Sequence, residues 1–362
     1  MKQLIPGKAE RILIRGPNWV GDAVMSIPAM KEIRRLYPGA HISLLVRPWV
    51  RDVYAAADFV DELIEFDKRS GHGGLAGLWR LARDLRHSRF DMALLMQNAF
   101  EAAFLSWLAG IPIRVGYARD FRGLLLTHPC KIDPEGLGVH QLYYYLEILS
   151  QVGLLGQRLW RDPGYRYSLS VPVRDSDCRA AKKMLTARGI CAGDILVGIN
   201  PGAAYGGAKR WLSDRFARVA DELVLSCSAR VVIFGARSER AIAEQVALQM
   251  NQEAVVLAGE TTLGQLMALI RQCSLFITND SGPMHLAAAL EVPQIAIFGS
   301  TSEMATGPIH AEAQVIKNPV PCNPCFLREC PTDFCCMTGI EVDEVLDAAK
   351  QKLAKFRAGF VP

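Results

Sequence analysis

Short apolar runs alternate with stretches of helical periodicity along this whole chain, and no other feature restricts its possible folds as strongly. In the first half the runs are Arg11–Arg15, Ile42–Val46, Glu62–Glu65, Met92–Met96 and Ile113–Gly116. In the second half they are Ile195–Asn200, Arg230–Phe234, Ala254–Leu257, Leu275–Thr278 and Gln294–Phe298. Such runs with helical connections predict strands buried on both faces of parallel sheets. One connection shows the helical spacing clearly. After Ser213, a predicted N-cap, apolar residues fall at Phe216, Val219, Ala220, Leu223 and Val224, one face of a helix. At 362 residues the chain exceeds one ordinary core, so two α/β domains are expected. "YRYSLSVPVRDSD", residues 165–177 with Pro172, reads as the linker. The expected architecture is α/β: two Rossmann-like halves with parallel sheets facing an interdomain cleft. The expected boundaries are 1–170 and 171–345, with a helical tail over 346–362.

Charge excludes little. The net charge of +4 does not predict a nucleic-acid binder, though it is compatible with an anionic substrate. "MKQLIPGKAERILIRG" reaches Glu10 and Arg11 before an apolar signal region forms, so no signal peptide is expected. "ALLMQNAFEAAFLSWLAGIPI", residues 93–113, is interrupted by Gln97, Asn98 and Glu101. It reads as a strand and a short buried helix rather than a membrane span. The ten cysteines are expected to be mostly reduced thiols in a cytosol.

Ligands of open α/β sheets bind beyond the carboxyl ends of strands, so the loops that follow strands carry the functional reading. "RGPNWVGDAVMSIPAM", residues 15–30, places Asp22 where the first strand gives way to a helix. The carboxylate either satisfies backbone N–H groups of its own helix or serves as a general base for a substrate hydroxyl. "INPGAAYGGAKRWLSDRF", residues 199–216, nearly imitates a P-loop: Gly202 and Gly207 have the spacing, but Ala208 displaces Lys209 and Arg210 follows it. A P-loop needs Lys then Ser or Thr there, which argues against an NTPase. A Lys-Arg pair after a flexible loop still suits a diphosphate.

"LFITNDSGPMHLAAALEVPQIAIFGSTS", residues 275–302, is the sharpest of the loops. Pro283 suits a first helical turn. The N–H groups of Ser281, Gly282 and Met284, with Asp280 and His285 beside them, are expected to form a phosphate site at a helix start. In "VVIFGARSERAIAEQ", Glu239 follows a strand and could hydrogen-bond ribose hydroxyls. No G-x-G-x-x-G follows the first strand of either half and no G-x-S-x-G occurs. That disfavours a dinucleotide dehydrogenase and an α/β-hydrolase.

Taken in order, "GDAVMSIPAM", "NPGAAYGGAKRW" and "TNDSGPMHLAAAL" resemble the bacterial lipopolysaccharide heptosyltransferases of glycosyltransferase family 9. The resemblance spans about residues 11–345. It implies an inverting GT-B glycosyltransferase that moves L-glycero-D-manno-heptose from ADP-heptose onto the growing core, with no cofactor required. Its first domain would bind the acceptor and its second the nucleotide sugar. By motif match, Asp22 would be the catalytic base and Lys209 would meet the donor phosphates. Asp280, Ser281, Gly282, Met284 and His285 would form the donor-binding helix start, and Glu239 would lie near the adenosine. Arg210 and Met284 depart from type I members. "NPVPCNPCFLRECP" points to the type II branch, which adds the second heptose onto the first. The acceptor carries phosphates and acyl chains, so Arg47, Arg119 and Arg122 are expected to meet it. The enzyme is expected in the cytoplasm, in peripheral contact with the inner membrane, with no nucleic-acid partner. The rival readings are another GT-B enzyme, of type I or III or with a different donor or a protein acceptor, and a nucleotide-sugar binding module without catalysis.

Cys322, Cys325, Cys330, Cys335 and Cys336 cluster with ligand-like spacing for zinc. A second Cys-x-x-Cys is missing, and catalysis in the resembled family needs no metal. The reading taken is a reduced, Pro-punctuated loop without metal, with zinc at Cys322, Cys325, Cys330 and Cys335 as the alternative.

Overall fold

The structure, a computed structural model, describes residues 3–132, 139–156 and 167–359, with Leu159, Asp162, Gly164 and Tyr165 between them. The chain divides into two compact units, Met1–Leu169 and Ser170–Pro362. In the first unit, strands β1 (Arg11–Arg15), β2 (His41–Val46), β3 (Glu62–Glu65), β4 (Met92–Leu95), β5 (Ile113–Tyr117) and β6 (His128–Cys130) form one sheet in the order β3-β2-β1-β4-β5-β6. All its pairings are parallel. Its helices are α1 (Val20–Met25), α2 (Ile27–Leu36), α3 (Gly74–His87), α4 (Phe100–Leu108) and α5 (Gln141–Gln151).

The second unit repeats this order. Strands β7 (Leu196–Asn200), β8 (Arg230–Ile233), β9 (Ala254–Val256), β10 (Leu275–Asn279), β11 (Gln294–Phe298) and β12 (Ala313–Lys317) run β9-β8-β7-β10-β11-β12, again all parallel. Its helices are α6 (Asp175–Thr186), α7 (Ser213–Cys227), α8 (Arg240–Gln249), α9 (Leu263–Ile270), α10 (Gly282–Ala289), α11 (Glu303–Thr306), α12 (Cys335–Thr338) and α13 (Val342–Gly359). Each sheet therefore reverses its strand order once, between β1 and β4 and between β7 and β10. Those crevices are where open α/β sheets bind ligands.

Burial explains the parallel pairing. Every residue of β7, β10 and β11 is buried, with Val197, Ile199, Leu275, Ile277, Ile295 and Ile297 in one core. Full burial of such side chains contributes about 1.5–3 kcal/mol each. Val345, Ala349 and Leu353 of α13 belong to the same core, so the last long helix is seated on the second unit.

The ten predicted strands form, with ends moved by a residue or two. Two more, β6 and β12, were not predicted. Both are edge strands, one with Pro129 at its centre, a residue tolerated at an edge because no ladder donor is needed there. The predicted cap at Ser213 is corrected: α7 begins at Ser213, and Leu212 holds the N-cap position without a side-chain bond. Residues 93–113 fold as strand then helix, but α4 is only half-buried: Phe100 and Trp107 are exposed. Among the described residues no helix is long and apolar enough to cross a membrane.

Candidate active site

The second unit gathers most of the predicted residues around the β7/β10 crevice. Asn279 joins the two loops: its Oδ1 accepts the Trp211 N–H at 3.0 Å and its Nδ2 donates to the Pro201 carbonyl at 2.8 Å. Asn200, ending β7, donates from Nδ2 to Gly202 O, Thr278 Oγ1 and Ser281 Oγ at 3.2–3.4 Å. These bonds fix the Gly-rich loop against the start of α10.

Lys209 follows that loop, and its Nζ lies 2.5 Å from Asp280 Oδ2. The same oxygen accepts from Thr301 Oγ1 at 2.6 Å. Asp280 is 4% exposed and Lys209 13%. A carboxylate so placed is costly unless paired, so its evident work is to hold the ammonium group. Tyr205 adds to this, its ring centroid 4.9 Å from Lys209 Nζ. Cation–π attraction favours that placement.

The start of α10 differs in part from expectation. Ser281 is the N-cap, but its side chain makes no cap bond and faces Thr278 and Asn200 instead. Gly282 and Pro283 open the helix, and His285 lies buried in its first turn. Met284 is a correction. Its N–H donates to Ser281 O at 3.2 Å, and its side chain is fully buried with Ala296 and Phe298. An apolar side chain finds more contact beneath the helix than at its mouth, so Met284 is taken up inside the unit.

Glu239 lies in the turn after β8, where its Oε2 accepts the Ala236 N–H at 2.9 Å. Its carboxyl group packs on Gly202: a Cβ there would stand 2.3 Å from Glu239 Cδ. Glycine is required for that approach, and it brings Glu239 beside the β7 loop.

Sequence reading missed what holds the Gly-rich loop from outside. Ala208 N–H donates to Arg328 O at 2.9 Å, Gly207 N–H to Glu329 Oε1 at 3.0 Å, and Tyr205 OH to Phe326 O at 2.7 Å. A Cβ on Gly206 would meet Arg328 O at 2.3 Å. The cysteine-rich segment is thus strapped over the loop that carries Lys209. Its non-cysteine residues were the available signal. Its cysteines are free thiols. Burial pushes the Cys336 thiol up to about 11, and hydrogen bonding to Thr332 draws Cys330 down. Among the described residues no group of three or more His, Cys, Asp or Glu side chains is placed to hold a metal ion, so the zinc spacing of Cys322, Cys325, Cys330 and Cys335 has no matching site.

In the first unit, Asp22 stands in the first turn of α1, whose N-cap is Trp19. Its Oδ1 accepts from Tyr145 OH of α5 at 2.9 Å. Burial, then the Asp22 charge, raise the Tyr145 pKa well above the ordinary phenol value, so this phenol remains a donor. Arg15 ends β1. It is 1% exposed and donates to Gly16 O at 2.5 Å, Leu45 O at 3.2 Å and Asn18 Oδ1 at 2.8 Å. Burial is the main cause of its lowered pKa, followed by the Arg47 charge.

Two of the three predicted acceptor arginines need correction. Arg47 is buried, with Nη1 3.0 Å from Phe66 O and Nη2 3.2 Å from Glu101 Oε1. Arg122 is fully buried and donates to Tyr117 O at 2.7 Å, to Asn98 Oδ1 at 3.1 Å and to Gln97 O. Arg47 thus pairs with a backbone carbonyl and the Glu101 carboxylate, and Arg122 with two backbone carbonyls and the Asn98 amide oxygen, all within their own unit. Arg119 is exposed.

A pair of parallel Rossmann-like units, each with its polar residues at the topological switch point, is the GT-B architecture of glycosyltransferases. Residues 78–335 match glycosyltransferase family 9 (heptosyltransferase). The lipopolysaccharide heptosyltransferase 2 of Salmonella typhimurium is 31% identical over 316 residues, covering 85% of this chain and 88% of that protein. The solved structure of Escherichia coli ADP-heptose LPS heptosyltransferase II is 27% identical, with a TM-score of 0.79 over 95% of this chain and 99% of that one. A family 9 glycosyl transferase from Veillonella parvula is 26% identical, with a TM-score of 0.84 over 98% and 100%. This chain belongs to glycosyltransferase family 9 and is a heptosyltransferase.

Proposed function

We propose that the enzyme transfers L-glycero-D-manno-heptose from ADP-heptose, with inversion, onto the first heptose of the lipopolysaccharide inner core, at the cytoplasmic face of the inner membrane. The observation that carries this reading is the Lys209–Asp280–Thr301 arrangement beside the Gly282–Pro283 helix start, a cation and outward amides in one crevice. The relatives named type 2 support the choice of acceptor.

In the proposed reaction Asp22 accepts the proton of the acceptor hydroxyl as its oxygen bonds to the anomeric carbon. The bond from that carbon to the donor phosphate breaks, and its electron pair leaves with ADP. Lys209 and the amides of Ser281 and Gly282 take up the developing charge, and His285 adjoins them. Donors fixed before reaction are worth about 10²-fold or more each. Glu239 serves the ribose of the donor. One base is enough for inverting transfer, whereas glycosidases use two carboxylates. Of the basic residues, exposed Arg119 is assigned to the acceptor.

The test is transfer from ADP-heptose onto core acceptors carrying no heptose or one. Product with the one-heptose acceptor and little with the other is the expected result. The reverse preference would assign the chain to a type I activity, and preference for a UDP- or GDP-sugar would refute the donor.

A further inference from the structure

The outer face of α4 is built against the usual pattern. A surface helix normally turns apolar residues to the core and polar ones to water. Helix α4 buries Ala102, Ala103, Leu105 and Leu108, yet Phe100 and Trp107 are exposed, with Phe104 between them partly buried against the core. These three rings stack in a row, with centroid spacings of 6.0 and 5.8 Å. On neighbouring α3, Trp79 is 60% exposed. It shares with Arg80, Arg83, Arg86 and Leu108 an open cavity of about 410 Å³. Single exposed apolar residues are ordinary, but an aromatic row beside a further tryptophan marks an interaction face.

The charges choose the partner. Arg80, Arg83 and Arg86 are exposed beside Trp79, and the acid among them, Asp84, is paired with Arg83 at 3.5 Å. Arg86 reaches across to Leu108 O at 2.9 Å, so the cationic row borders the end of α4. Tryptophan sits at the level of lipid headgroups, and arginine lays its stem on apolar surface while its charge meets anionic headgroups.

We propose that the α3/α4 face docks on an anionic lipid bilayer, with Trp79 and Trp107 entering the headgroup layer and Arg80 and Arg83 meeting lipid phosphates. This deepens the proposed function and rests on its lipid-linked acceptor. Peripheral binding of this kind needs both apolar area and charge, so each set of side chains is separately necessary.

The test is flotation of the full chain with vesicles of phosphatidylethanolamine and phosphatidylglycerol, against phosphatidylcholine alone. The unsubstituted chain floats with the anionic vesicles, and added salt reduces this. Trp79→Ser/Trp107→Ser and, independently, Arg80→Glu/Arg83→Glu each lower the partition coefficient about tenfold. Leu225→Ser/Leu248→Ser, on exposed positions of the second unit, leaves it unchanged. Undiminished flotation of both first-unit variants overturns the proposal. So does a loss confined to self-association in sedimentation, which would assign the face to a second copy of the chain. Turnover on a deacylated core acceptor tests the proposed function by itself. Its absence in the unsubstituted chain would sink that function, while the flotation comparison would still decide the surface.

Discussion

Asp22 and Asp280 both stand at the switch point of a parallel six-stranded sheet, one in each unit, and their surroundings differ. Asp22 accepts from a neutral phenol that arrives 123 residues along the chain. Asp280 is closed off by an ammonium group and a hydroxyl, 71 and 21 residues away. In the proposed reaction Asp22 is the proton acceptor, and the phenol hydrogen bond orients its carboxylate. A carboxylate paired with Lys209 is satisfied, and what it offers the crevice is a cation in fixed position. One strand order thus places two aspartates at switch points with different hydrogen-bond partners.

The strongest way to break this comparison is to remove each charge in turn. Asp22→Asn is expected to lower kcat about 10³-fold, the range of a lost general base, while calorimetry finds ADP-heptose binding near normal. Lys209→Met is expected to cost about 10²-fold in kcat and to weaken donor binding as well. If Asp22→Asn keeps its turnover, Asp22 has no claim to the proton.

A second contrast concerns the arginines. Arg122→Met strips donors from one buried and two partly buried acceptors and is expected to lower unfolding free energy in urea by about 3 kcal/mol. Its KM for the acceptor, measured on folded enzyme, should hardly move. Arg119→Ala is expected to do the reverse. A stable Arg122→Met enzyme with a raised acceptor KM would return that residue to the binding surface.

The smallest effect is on pH dependence. Burial raises the pKa values of Tyr54 and Tyr145 above the ordinary phenol value of about 10. Above that pH the unfolded phenols lose protons that the folded ones keep, so the unfolded state binds fewer and stability falls as pH rises. Urea midpoints should drop between about pH 10 and 12, and less steeply in Tyr145→Phe. An equal slope in that variant would detach Tyr145 from the effect.

The ten apolar runs, the loops after them and the order of the three motifs were legible in the sequence. Local hydrophobic periodicity fixes which residues face a core, and parallel sheets place their strand ends together. The placement of Asp22, Lys209 and the Gly282–Pro283 helix start just beyond strand ends was legible for that reason. Met284 misled because a helix start exposes some amides and buries the side chain next to them. Arg47 and Arg122 misled because a strand-end arginine looks the same in sequence whether it points outward or inward.

What the sequence determined by itself was two parallel α/β sheets with polar loops at their carboxyl ends. Tertiary structure alone decided that Tyr145 would meet Asp22, that Arg15 and Arg122 would be enclosed, and that Arg328 and Glu329 would grip the Gly-rich loop. A strand's periodicity is repeated every few residues and survives any change of context. The partner of a long polar side chain depends on which unpaired carbonyl or carboxylate the folded chain happens to bring within reach, and on water being excluded there.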